Sequence, residues 1–194
     1  MTIIEDLCRK FDPAIFKFNQ QGHVYITVQH FIERLNTSNV RWQSTTRNSS
    51  ITLSPNTTST GKAQWVTHAT VDVSFYDEEL KGFLTYTGWG ADENFDPNTA
   101  MKTAGAEAFK KACNQIGIGF YLLGKDNPER DIHVDHYNYI QSGDINDLKK
   151  AVSKAARVDG YTGPLDASMA TFFNVKPADL QDASKLDALL RARF

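Results

Sequence analysis

The chain has little of what marks a secreted, membrane-spanning or motif-bearing catalytic protein. Cys8 and Cys113 are the only cysteines in 194 residues and lie far apart. They offer neither a disulfide framework nor zinc-ligand spacing, which fits a reducing compartment. No run approaches the ~20 apolar residues of a membrane span. The opening MTIIEDLCRKFDP carries acids early and no long apolar stretch, so no secretory signal is expected. The sequence also lacks a Walker loop, a GxSxG elbow and an HExxH pair. Gly117-x-Gly119 wants a third glycine and follows a helical stretch, so it is no dinucleotide fingerprint. A cytoplasmic protein, without enzyme activity, cofactor or membrane partner, is the expectation; for a viral chain the compartment is the host cytoplasm.

Apolar residues are not scarce. A hydrophobic fraction of 41% with 11% aromatics supports a true core. The net charge of −2 hides a segmental pattern. Residues 23–71 carry Arg34, Arg41, Arg47 and Lys62 against Glu33 alone. Residues 72–96 carry seven acids against Lys81, and 97–125 carry Lys102, Lys110, Lys111 and Lys125 against Glu107. Two basic segments therefore flank an acidic one, a division able to place a basic groove on one surface.

Periodicity predicts an α+β fold. Residues 1–18 read as an amphipathic helix that stops at Pro13, and His23–Ile26 as a short extended piece. Val28, Phe31, Ile32 and Leu35 repeat as one helical face behind Thr27. Val40–Thr52 is strand-like, and Ser54–Gly61 reads as a polar turn. Ala63–Tyr76 alternates cleanly, with Trp65, Ala69, Val71, Val73 and Phe75 on one face. Asp77–Glu79 turns the chain into a partner strand, Leu80–Trp89. There Gly88 and Gly90 suggest a bend or a close backbone approach. Asp96-Pro97 starts a long helix to Ile116, rich in Ala and Gly, with Met101, Gly105, Ala108, Phe109, Ala112 and Ile116 as its buried stripe. On it Lys110 faces away from the stripe, while Lys111 sits on the flank and must emerge at the seam with the sheet or beyond it. Residues 125–143 read as polar loop, 145–158 as a helix, and 160–164 as a linker. The last thirty residues read as short helices with a minimal core of Phe172, Phe173, Val175, Leu180, Leu186, Leu189 and Leu190. The expected domains are 1–158 and a helical appendage, 159–194.

His133-Val134-Asp135-His136 invites a metal reading, and with it a metal-dependent nuclease. No carboxylate or cysteine cluster nearby completes a site, so solvated loop histidines are expected. Cys113 reads as a small buried thiol. Trp42, Trp65, Trp89 and Tyr121 read as core.

The most specific stretches are VYITVQHFIERLNTSNVRW and the strand end Gly88-Trp89-Gly90 followed by TAMKTAGAEAFKKACNQIGIGFYLLG. Together they resemble the Rad-fifty-two-like single-strand annealing proteins, in their DdrA-type and phage recombinase branch. The matching positions are Tyr25-Ile26, Leu35-Asn36, Trp42, Gly88-Trp89-Gly90, Ala108-Phe109-Lys110-Lys111-Ala112 and Ile116-Gly117-Ile118-Gly119-Phe120-Tyr121-Leu122, over residues 23–125. The resemblance implies an antiparallel β-meander packed on a long helix, a ring or filament of identical subunits, and ATP-independent annealing of single-stranded DNA in recombination or repair. It implies that Lys110 and Lys111 hold phosphates, with Lys102 as a further basic contact. His30 stands where relatives carry a groove-facing arginine, a departure that Arg34 or Arg41 compensates. Arg47 and Lys62 complete the candidate set. A single-strand-binding protein or an exonuclease is the partner expected for the appendage. The alternatives are a scaffolding oligomer whose basic seam meets residues 72–96 of the next subunit, and a DNA-end protection protein.

Overall fold

The computed structural model describes residues 3–18, 24–58, 61–123, 127–163 and 167–193. The expectations touching Met1, Thr2, His23, Ser59, Thr60, Gly124, Lys125 and Pro164 fall outside those residues. The chain is α+β and divides into two compact units, one of residues 1–9 and 27–120, the other of residues 10–26 and 121–194.

In the first unit, helices α1 (Ile3–Cys8) and α2 (Val28–Thr37) precede three long strands, β3 (Trp42–Thr57), β4 (Ala63–Asp77) and β5 (Gly82–Asn94), and a twenty-residue helix, α3 (Pro97–Ile116). The strands form an antiparallel meander in the order β3-β4-β5. The alternation in β4 works as its sequence implies. Ala69, Val71, Val73 and Phe75 are buried toward α3, while His68, Thr70 and Asp72 face the other way. Strand β3 is longer than expected and runs through Ser54-Pro55-Asn56-Thr57, with a register shift between Thr46 and Asn48.

Helix α3 starts as its sequence announces. Asp96 accepts hydrogen bonds from the Asn98 and Thr99 amides, and Pro97 sits at the first helical position. Gly117 ends it in the left-handed conformation at φ 110°. Its buried face is small: Ala100, Ala104, Ala108 and Ala112, with Phe109, Cys113 and Ile116 at the margins. That smallness meets glycine on the sheet. A methyl group at Gly88 would fall on the Ala108 carbonyl oxygen, 2.5 Å from the Ala112 nitrogen, and one at Gly90 would fall on the Ala104 carbonyl oxygen, 2.7 Å from the Ala108 nitrogen. The helix backbone thus rests directly on the strand backbone.

In the second unit, the two-residue strands β1 (Lys17–Phe18) and β2 (Val24–Tyr25) pair antiparallel, and helices α4 (Pro128–Ser142), α5 (Ile145–Val158), α6 (Ala167–Phe172) and α7 (Ala183–Arg193) follow. The helix expected within residues 1–18 ends at Cys8, and Lys17–Phe18 is strand. Two further expectations change here. Residues 128–142 are helix rather than loop, capped by Asn127 with Pro128 at the first position. The core-facing side of α4 carries Ile132, His133, Asp135 and His136, so hydropathy alone hides its periodicity. The expected division near residue 158 also differs from the observed one. Met169, Ala170, Leu180, Leu186 and Leu190 share one buried cluster with Ile132, Leu148, Ala151, Val152, Ala155 and Ala156. The tail helices complete the core of α4 and α5, because some thirty-five residues supply too little apolar surface for their own. Ion pairs add to this. Arg193 forks onto Glu129 at 2.7 and 3.0 Å and also bonds Asp159, while Lys10 reaches Glu129 at 2.7 Å.

The glycine contact predicts an asymmetric pair of variants. Gly88→Ala should lower stability by about 3 kcal/mol, because helix backbone must move to admit the methyl group. Gly105→Ala, on the same helix with open space around the new methyl, should raise it by about 0.5–1 kcal/mol. Chemical denaturation of the two variants checks the contrast.

Candidate nucleic-acid interface

The closest approach of α3 to β5 places two side chains together. Gly88 and Gly90 face the helix, so Trp89 between them points to the opposite face of the sheet, where it is 66% exposed. Lys111 lies on the flank of α3 and reaches past β5, its Nζ 3.8 Å from the centroid of the Trp89 ring. Such a cation over an indole face is attracted by the ring quadrupole. One turn further along, Gln115 donates to the Thr87 carbonyl at 2.8 Å and covers part of the outer edge of β5.

The other sequence-derived candidates are dispersed. Lys110 is held by Glu107 at 2.5 Å, its side chain only 16% exposed. At about 100° per residue it points well away from Lys111, and Lys102 emerges, exposed, on the opposite flank from Lys111. His30 lies 2.9 Å from Glu33, and the Glu33 carboxyl sits below its ordinary range because His30, and then Gln29, hydrogen-bond to it. Arg41 stacks on Tyr76 at 3.9 Å from the ring centroid and approaches Glu78. Arg47 occupies the β3 irregularity and bonds Asp72 at 2.5 Å. Asp72 also accepts from Thr87, and these bonds, Thr87 first, hold its carboxyl below the usual range. Lys62 lies 5.8 Å from the Phe95 ring centroid. Among the described residues, Lys62, Lys102 and Lys111 have no carboxylate partner.

Arg34 leaves the candidate set. It is 9% exposed, and its guanidinium donates to the carbonyls of Arg9, Leu7 and Asp6. Those carbonyls lie in and just beyond the last turn of α1, where Asp6 also accepts from the Arg9 amide, so the arginine completes a fold contact and is not presented to a phosphate.

Trp89 corrects the reading of the tryptophans as core. Trp42 does fit that reading in part: it is half-buried, its ring packs on Phe109 and its indole donates to Asn36. The signal for Trp89 was present in the strand phase. Leu84, Tyr86, Gly88 and Gly90 share one face, so Trp89 must join Phe83, Thr85 and Thr87 on the other.

The histidine motif, in the second unit, is also corrected. His133 and His136 are fully buried on α4 rather than solvated on a loop. His133 lies between the Phe16 and Tyr121 rings, with centroids at 5.3 and 4.8 Å. His136 meets Asp187 at 2.5 Å. Burial pushes the His133 imidazole down to about 3, and burial also lowers His136 against the opposing pull of Asp187. Among the described residues no three His, Cys, Asp or Glu side chains gather as a metal cluster.

Comparison with protein-family models gives no match, and comparison with curated protein sequences gives none either.

The buried imidazole carries a pH prediction. Folded His133 stays neutral down to about 3, whereas an unfolded histidine takes up its proton near 6.5. The unfolded state therefore binds more protons across that window, and stability falls as pH drops from 6.5 toward 3. His133→Gln should shrink the stability difference between pH 7 and pH 5 by about 2 kcal/mol, since each pH unit of such linkage is worth about 1.4 kcal/mol. Hydrogen exchange of the α4 amides at the two pH values measures it.

Proposed function

We propose that this protein binds single-stranded DNA and anneals complementary strands without ATP, as a Rad-fifty-two-like ring or filament of identical subunits. Several features support the reading. A three-stranded antiparallel meander runs into a long helix, in the order that the resemblance implies. That helix carries Lys102, Lys110 and Lys111, and the glycine pair that the resemblance aligns is the contact holding the helix to the sheet. The observation that carries the reading is Lys111, a cation without a carboxylate partner among the described residues, emerging beside an exposed aromatic ring at the edge of the sheet. Phosphate-directed cations combined with aromatic surface suit sequence-tolerant binding of a single strand. Few cations per chain suffice when many copies share one strand, because each further contact is then intramolecular.

The scaffolding alternative draws on a different feature. The β4–β5 turn presents Asp77, Glu78 and Glu79 beside an exposed Leu80, an acidic and apolar tip suited to the basic face of another copy.

The two readings separate in one variant. Lys110→Ala/Lys111→Ala should weaken binding of a labelled single-stranded oligonucleotide at least ten-fold and slow strand annealing, while the sedimentation profile stays as in the parent. Normal binding and annealing by the double variant would contradict the assigned site. Loss of assembly with unchanged DNA binding would favour the scaffold.

A further inference from the structure

We propose that Trp89 is a stacking platform for an unpaired nucleobase, and that the strand is held through its base faces as well as through its charge. The inference rests on the nucleic-acid reading above and deepens it by naming the part of the ligand that is recognised and the face of the sheet that recognises it.

Three observations carry it. The first is accessibility. Trp89 stands on the sheet face turned away from α3, with Thr87 and Ala91 along the strand, Thr70 directly across, His68 and Asp72 on the diagonals, and Asn48 beyond. With the ring 66% exposed, a flat ligand can lie against it. A tryptophan left two-thirds in water forfeits most of the stabilisation that its burial would give, which makes the position costly as a purely structural choice. The second is rigidity. The residues on both sides of Trp89 are in backbone contact with α3, so the strand beneath the ring cannot give way. A platform already ordered before binding spends little entropy on capture. The third is polarity. The Lys111 ammonium occupies one face of the indole at 3.8 Å, which leaves the other face for a base and keeps the cation beside the phosphate that follows it.

The surrounding charges argue the same way. Lys110, Arg41 and Arg47 are each turned toward a carboxylate, His30 faces Glu33, and Arg34 is buried. With Lys62 and Lys111 left to meet phosphates and Lys102 on the opposite flank, counterion release from a single strand gives a salt slope of about −1.4 per chain, because each contact contributes about −0.7. Stacking of a base on an aromatic ring adds roughly 1–3 kcal/mol and tolerates any sequence, since every base offers a π face. Bases within a duplex are already stacked on both sides, so the platform favours single strands.

The test uses the full chain and two oligonucleotides of equal length and charge, one of thymidine and one of abasic deoxyribose phosphate. The parent protein should bind the thymidine strand with quenching of tryptophan fluorescence and should bind the abasic strand ten-fold to a hundred-fold more weakly. Trp89→Ala should lose that advantage and leave abasic binding unchanged. Trp89→Phe should restore most of it, and the slope of log affinity against log salt should be about −1.4 per bound chain. Equal affinity of the parent for both strands, or thymidine binding unaffected by Trp89→Ala, overturns the platform and leaves a phosphate-holding site standing. A Trp89→Ala protein that changes its sedimentation but not its DNA binding overturns the platform in favour of protein docking at that ring. Failure of the parent to bind either strand overturns both the platform and the reading beneath it.

Discussion

The contact between the backbone of β5 and the backbone of α3 is the constraint on which the first unit depends. It exists because glycine at 88 and 90 meets alanine at 104, 108 and 112, so nothing larger than hydrogen separates strand from helix. Three consequences follow from that one proximity. The helix lies close enough for Gln115 to close part of the strand edge. Lys111 on its flank clears the edge instead of ending beneath the sheet. Trp89, between the two glycines, is turned outward by the pleat and fixed in place from below.

The second unit is held by a different balance. Its apolar cluster is drawn from α4 through α7, and no pair of these helices completes it alone. Polar groups are gathered around that cluster at some electrostatic expense. Arg193 and Lys10 converge on Glu129, and Arg193, with Lys10 behind it, holds that carboxyl down to about 2. His133 is kept neutral among aromatic rings. These groups stabilise the fold near neutrality and weaken it in acid. Arg191 adds a link from α7 to Asp12 at 3.1 Å.

Much of the first unit was legible in the sequence, and the reasons are physical. Strict alternation in β4 fixes which face is buried, and the Asp96-Pro97 start with the Gly117 stop brackets α3. The glycine pair announced a close approach, and the flank position of Lys111 announced its emergence at the seam. The misses have equally specific causes. Helix α4 buries two histidines and an aspartate, residue types that a hydropathy pattern scores as surface. The tail helices read as separate because their apolar partners on α4 and α5 lie far back in the chain. Arg34 read as a groove cation because charge along a sequence does not reveal that a guanidinium is spent on carbonyls at the end of α1. Trp89 read as core because tryptophan usually is, although the phase of β5 already placed it outside.

On the proposed function, single-stranded nucleic acid lies at the junction of β5 and α3. Ultraviolet cross-linking of a single-stranded oligonucleotide to the full chain, followed by mass spectrometric mapping of the adducts, tests this most directly. The account predicts adducts within Gly82–Asn94 and Pro97–Ile116, with Trp89 and Lys111 the principal sites. Adducts confined to residues 127–193, or spread over the surface without preference for that junction, would contradict it.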